Sequence, residues 1–180
     1  MSVRITGGAL RGRLVDVPTA EDLRPTPSMA REALFSMLGQ RLDGWRVVDL
    51  CAGSGVMSLE FASRGARVEA CERNPKTARQ LQATFAKLAV EINVRVGDSA
   101  VLVRDMPTRP SLVYLDPPFR QDLSGWLNLG ASLAPERLVL EHPPTFAAPQ
   151  RVGGLTLDRR RTYGGVAIAI YVELPAISAG

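Results

Sequence analysis

Four short segments of this 180-residue chain each carry an acid, three of them with glycine, proline or an aromatic residue close by, in patterns suited to a cationic or planar ligand. In Val47-Val48-Asp49-Leu50-Cys51-Ala52-Gly53-Ser54-Gly55 a strand-forming run ends in an acid and a glycine turn. Glycine lets the backbone approach a ligand closely, because no Cβ intrudes. A dinucleotide site would carry a third glycine, to lay a diphosphate on a helix N-terminus. Here that glycine is missing and Asp49 occupies the approach, which suits an ammonium or sulfonium better than a diphosphate; a plain tight turn is the bland alternative. Glu72 follows Gly55 by 17 positions, close to the roughly 20 at which an acid accepts ribose hydroxyls in related folds. In Gly97-Asp98-Ser99 the carboxylate can accept from an adenine amino group, cap the next helix, or do both.

The fourth segment, Asp116-Pro117-Pro118-Phe119, is the sharpest. Two consecutive prolines fix φ and lack N–H groups, so the loop presents rigid carbonyl acceptors. Asp116 adds a carboxylate acceptor and Phe119 a flat face for stacking. Together they suit a planar ring whose exocyclic NH₂ has both protons accepted and its lone pair aimed outward.

These segments need strand ends to hold them. Arg46–Cys51, Arg67–Cys71, Ile92–Val96, Leu112–Leu115 and Arg137–Glu141 read as strands. Helices are expected over Val56–Arg64, from Pro75 onward, over Ser99–Arg104, and from Asp122 or Ser124 to Leu133. Pro75 suits a first helical position, and Leu81, Phe85 and Leu88 line one side. Gly154–Leu157 and Val166–Leu174 read as a closing antiparallel pair joined by an arginine-rich connection. Strands alternating with helices imply an open, mostly parallel sheet covered on both faces, with ligands beyond the carboxyl ends of its strands.

Composition excludes several classes. Apolar residues make up 46% and charged residues 22%, ordinary globular values. No apolar run approaches the roughly 18 residues needed to span a bilayer, and Met-Ser-Val-Arg-Ile is not a signal peptide, so a cytoplasmic protein is expected. Cys51 and Cys71, with the single histidine His142 far off in sequence, do not make a zinc site. They read as buried thiols and His142 as structural; no metal is expected.

The net charge is +4, with 20 arginines and two lysines. Residues 1–46 hold seven arginines against five acids, so phosphate binding there would need local clustering. Arg4, Arg11 and Arg13 fall around a short hairpin, and Arg24 and Arg31 at a helix entrance. A solvated arginine face is the alternative. Arg159, Arg160 and Arg161 form a second candidate phosphate contact.

The combination of Asp49-Leu50-Cys51-Ala52-Gly53-Ser54-Gly55, Glu72 and Asp116-Pro117-Pro118-Phe119 resembles the S-adenosylmethionine-dependent amino-methyltransferases. Arg4-Ile5-Thr6-Gly7-Gly8, Arg11-Gly12-Arg13, Leu23-Arg24-Pro25-Thr26 and Arg31-Glu32-Ala33-Leu34-Phe35 narrow this to the bacterial 16S ribosomal RNA guanine-N2 methyltransferase family, over about Arg4 to Tyr171. Cys51 stands where that family more often has a bulky aromatic. Nothing is carried over for Glu141 to Gly154, where the match is poor.

The resemblance implies a Rossmann-like class I methyltransferase fold: a mostly parallel seven-stranded sheet with a C-terminal antiparallel hairpin. Residues 1–40 would be an RNA-contacting extension with a short N-terminal β-hairpin, and residues 41–180 the catalytic domain. It implies that Asp49, Cys51, Gly53, Ser54 and Gly55 border S-adenosylmethionine, that Glu72 takes its ribose, and that Asp98 and Ser99 lie at its adenine. Asp116, Pro117, Pro118 and Phe119 would hold the guanine amine. Arg4, Arg11, Arg13, Arg24, Thr26 and Arg31 would face 16S ribosomal RNA or the assembling small subunit, with a monomer expected. The alternatives are transfer to DNA adenine N6 or protein glutamine N5, a non-catalytic RNA-binding assembly factor and, least favoured, a nicotinamide dehydrogenase.

Overall fold

The computed structural model describes residues 1–18 and 26–173; Arg24 lies outside them. The chain runs β1 (Ser2–Arg4), β2 (Leu14–Asp16), α1 (Ser28–Leu38), β3 (Arg46–Asp49), α2 (Val56–Ser63), β4 (Arg67–Glu72), α3 (Pro75–Lys87), β5 (Ile92–Val96), α4 (Ser99–Leu102), β6 (Leu112–Leu115), α5 (Leu123–Ala131), β7 (Arg137–His142), β8 (Arg151–Val152), β9 (Leu155–Tyr163) and β10 (Val166–Glu173). Strands β1 and β2 form a small antiparallel sheet. The others form one sheet in the order β5-β4-β3-β6-β7-β10-β9-β8. Neighbours from β5 to β7 are parallel, and β7, β10, β9 and β8 are successively antiparallel.

Local signals account for most boundaries. The Asn74 side chain accepts from the Lys76 and Thr77 amides (2.9 and 3.3 Å), ahead of Pro75 in the first turn of α3. Asp122 accepts from the Ser124 amide at 3.0 Å and starts α5. Side-chain alternation in the strands divides the core in two. Val47, Leu112, Tyr114, Val139 and Ile168 join residues of α1, α2, α3 and the N-terminal hairpin on one face. Val48, Val113, Leu115, Leu138, Leu140 and Ala169 join Leu127 of α5 on the other. The strand order reverses between β3, which continues to β4, and β6, which continues to β7. Such a reversal opens a crevice at the strand tips.

Two expectations are corrected. The sheet has eight strands rather than seven, because Arg151–Val152 adds a two-residue rim. The arginine-rich stretch is no connection: β9 continues through Arg159, Arg160 and Arg161 to Tyr163, paired with β10, and the turn is confined to Gly164-Gly165. Charged side chains are well suited to a strand so close to the sheet margin, where they discourage edge-to-edge association. Among the described residues, Ile5, Val15, Val17, Leu34 and Phe35 belong to the same core cluster as Val47 and Tyr114. Helix α2 is buried almost all round, Glu60 included.

Candidate active site

Asp49 ends β3 wholly shielded from solvent. Its Oδ1 accepts from the Cys51 amide at 3.1 Å and its Oδ2 from the Ser58 hydroxyl at 2.6 Å, so it ties the turn to the first turns of α2. Burial pushes its carboxyl up to about 6 against the pull of those two hydrogen bonds, and the charge of Glu72 adds to the rise. Asp49 therefore braces the turn and lends it negative charge, without being part of its open surface.

Gly53 and Gly55 both have positive φ, +50° and +76°. At Gly55 a Cβ would stand 2.5 Å from Leu81 Cδ2 and 3.1 Å from the Phe85 ring, so α3 packs directly on the bare backbone. Gly55→Ala is expected to cost about 1–3 kcal/mol from backbone strain alone, with the clash adding to it. A lowered midpoint in thermal unfolding would register this loss. Ser54 is buried, and its hydroxyl accepts from the Val56 amide at 3.4 Å. Cys51 is half-buried; its thiol is unbridged and pushed up by burial and by Asp49 and Asp116.

Glu72 closes the turn from the neighbouring strand. Its Oε2 accepts from the Gly53 amide at 3.0 Å and its Oε1 from the Asn74 amide at 2.7 Å. Each oxygen keeps further acceptor capacity, which fits the paired hydroxyls of a ribose. Beyond β5, exposed Asp98 accepts from the Ala100 amide at 2.8 Å and caps α4. Buried Ser99 donates to the Leu50 carbonyl at 2.6 Å, locking α4 to the end of β3. A bare glycine turn beside an oriented carboxylate is a cradle fit for S-adenosylmethionine.

Asp116 follows β6 across the strand-order reversal. Its carboxyl is raised well above the usual range, by burial first and then by the charges of Glu141 and Asp49. Pro117 is buried, Pro118 is exposed, and Phe119 offers an aromatic face 45% exposed. The turns after β3, β4, β5 and β6 thus bring together Asp49, Cys51, Gly53, Ser54, Gly55, Glu72, Asp98, Ser99 and Asp116 to Phe119.

Arg31 and Thr26 do not face outward as expected. Arg31 is 3% exposed. Its guanidinium pairs with Glu60 at 2.5 Å and donates to the carbonyls of Arg4 and Thr26 at 3.0 and 3.1 Å, leaving no surface for a phosphate. Thr26 is buried beside it, its hydroxyl without a well-formed hydrogen bond. Arg4, Arg11 and Arg13 are exposed on the N-terminal hairpin, with Arg4 donating to the Gly12 carbonyl at 2.6 Å.

Sequence reasoning passed over Glu141 and Tyr114. Glu141, on β7, is 2% exposed and accepts from the Tyr114 hydroxyl. Burial pushes its carboxyl up to about 7, opposed by Tyr114, Thr26 and more distant Arg31. An acid near the end of an apolar strand was the available signal, because β3 and β4 end on an acid and Asp116 directly follows β6. The His142 Nδ1 lies 2.8 Å from the Pro143 carbonyl and its ring meets Phe146 edge-on. Among the described residues no helix is long and apolar enough to cross a membrane.

Comparison with known proteins places the chain in a family and among known folds. Residues 3–172 match the family described as Conserved hypothetical protein 95. Ribosomal RNA small subunit methyltransferase D of Escherichia coli K12 is 33% identical, over 94% of this chain and 89% of its own length. A solved structure of a hypothetical protein from Thermus thermophilus superposes with a TM-score of 0.81 at 29% identity, covering 96% of this chain and 99% of that one. Magnesium protoporphyrin IX methyltransferase from Synechocystis, solved with bound SAM, shares the fold at a TM-score of 0.66 and 20% identity over 81% of this chain and 79% of its own. The chain belongs to the Conserved hypothetical protein 95 family and is a homologue of ribosomal RNA small subunit methyltransferase D.

Proposed function

We propose that this protein transfers a methyl group from S-adenosylmethionine to the exocyclic N2 amine of a guanine in 16S ribosomal RNA. The observation that carries this reading is Asp116-Pro117-Pro118-Phe119, with its half-buried acid and exposed ring, across the strand-order reversal from the Gly53–Gly55 turn and Glu72. The name of the Escherichia coli relative supports a ribosomal RNA substrate. When bound, the sulfonium donor supplies an already activated methyl group, so the protein's task is alignment, which supplies on the order of 7–11 kcal/mol in well-oriented model systems.

A guanine amino lone pair is delocalised into the ring and nucleophilically weak. Asp116 and the Pro117 carbonyl accept the two amino protons, favour a pyramidal nitrogen and free that lone pair. The base must leave its stack to reach this loop. Phe119 recovers part of that cost, since base–aromatic stacking is worth about 1–3 kcal/mol.

The deciding experiment offers the protein labelled S-adenosylmethionine with small-subunit RNA or particles, duplex DNA, and release-factor protein in parallel. Label in RNA, mapped by mass spectrometry to a guanine N2, is the expected result; label only in DNA or only in protein overturns the reading. The exposed hairpin arginines give a separate check. Arg11→Glu with Arg13→Glu is expected to weaken RNA binding and lower the slope of log affinity against log salt by up to about two. Calorimetric binding of S-adenosylhomocysteine should stay unchanged.

A further inference from the structure

Three neighbouring strands send a carboxylate to the same face of the sheet at the same end. Asp49 ends β3 and pairs in register with Tyr114 of β6, two residues before Asp116. On β7, Leu140 is opposite Leu115, so continuing the parallel register by one residue sets Glu141 beside Asp116. Tyr114 and Val139 share the face covered by α1, so Glu141, two residues beyond Val139, points the same way, and the Tyr114 hydroxyl bonds to it. Glu141 is as deeply buried as an apolar core residue.

We propose that Glu141, anchored by the Tyr114 hydroxyl, is a positioning residue that sets the charge state of Asp116 and so makes it the acceptor for the proton displaced from the methylated amine. The proposal rests on the function proposed above. In the transfer the nitrogen lone pair forms the N–CH₃ bond and the C–S pair leaves on sulfur, giving a neutral thioether. The nitrogen then carries one proton and one positive charge too many. Asp116 takes that proton, and the N–H electron pair returns to nitrogen. A carboxylate beside another carboxylate holds a proton more tightly than one alone.

The groups facing Glu141 come from β6, from β10 and from the α1 side. On β6 it faces Tyr114 and Asp116, and across β6 lies Asp49, itself near Glu72. On β10 it is opposite Ile168, between Ala167 and Ala169, which do not titrate. From the α1 side come the Thr26 hydroxyl and Arg31, but Arg31 is already committed to Glu60 at 2.5 Å and to two carbonyls. The Cys51 thiol, near Asp49 and Asp116, is held protonated by its burial.

The test follows side-chain carboxyl ¹³C shifts against pH in the folded protein, together with the pH profile of single-turnover RNA methylation. Glu141→Gln removes a negative neighbour, so the Asp116 midpoint and the acid limb of the rate profile should both move to lower pH by about one unit or more. Glu141→Asp, which keeps the charge, should restore most of that displacement. An Asp116 midpoint and acid limb that stay in place in Glu141→Gln overturn the proposal. Should Glu141→Gln not fold, Asp116→Asn reads the same coupling reciprocally: the Glu141 midpoint must fall, and one that stays put overturns the proposal. Wild-type protein that fails to methylate RNA overturns the proposed function instead, while the carboxyl titrations still decide whether Glu141 sets the charge on Asp116.

Discussion

Asp116→Ala is expected to reduce methyl transfer to RNA by at least about 10²–10³-fold, the range seen when a single preorganised polar group is removed from a reacting centre. Binding of S-adenosylhomocysteine should change by less than about tenfold, or 1.4 kcal/mol. The two effects separate because the turn that fits the donor is held by Asp49 and Glu72, through their bonds to the Cys51 and Gly53 amides, and not by Asp116. The fold should survive, because the substitution removes a carboxyl that burial and its neighbours Glu141 and Asp49 hold well above its usual range. Asp116→Asn separates the residue's two tasks: it keeps an acceptor oxygen for the amine but cannot take up its proton. Single-turnover methylation and titration calorimetry on the same preparations make the comparison, and turnover at the wild-type rate in Asp116→Ala would refute the assigned role.

The largest effect on stability is expected at Glu60. This acid on α2 is fully buried and pairs with Arg31 of α1 and with Arg64, each at 2.5 Å. It also accepts from the amide and the hydroxyl of Thr6, both at 2.9 Å, so it ties the N-terminal hairpin to the sheet layer. Arg64 in turn stacks on Phe35, its guanidinium carbon 3.6 Å from the ring centroid. Glu60→Ala would leave two guanidinium groups buried beside no carboxylate. Breaking a buried pair from one side costs about 3–5 kcal/mol, and at about 2–4 °C per kcal/mol for a chain of this size the unfolding midpoint should fall by roughly 6–20 °C. Scanning calorimetry measures this directly, and a shift of only a degree or two would show that the cluster contributes little. The hairpin carrying Arg4, Arg11 and Arg13 should loosen as well, weakening RNA binding beyond what the lost stability explains.

The place of Arg31 in that cluster shows where sequence reasoning reached its limit. An arginine at a helix entrance, in a segment rich in arginine, reads as a phosphate contact. What buries it is the packing of the N-terminal hairpin over α2, which turns the outer face of α2 inward and requires Glu60 to be neutralised there. Glu141 escaped notice for a related reason: its function depends on which strand lies beside β7, and that neighbour is set by sheet order. Arg159 to Arg161 read as a connection from charge and composition, which outweigh a pairing partner visible only once β10 is in place.

The segments whose form depends on near neighbours were legible from the residues alone. The Gly53–Gly55 turn, the Asn74 cap with Pro75, β5, β6 and the Asp116-Pro117-Pro118-Phe119 loop stand where local chemistry sets them, because backbone φ, capping donors and strand alternation act within a few residues. Tertiary structure alone decided which charges are buried, which carboxylates share a face, and which arginines reach solvent. Those outcomes depend on desolvation and on contacts between segments tens of residues apart.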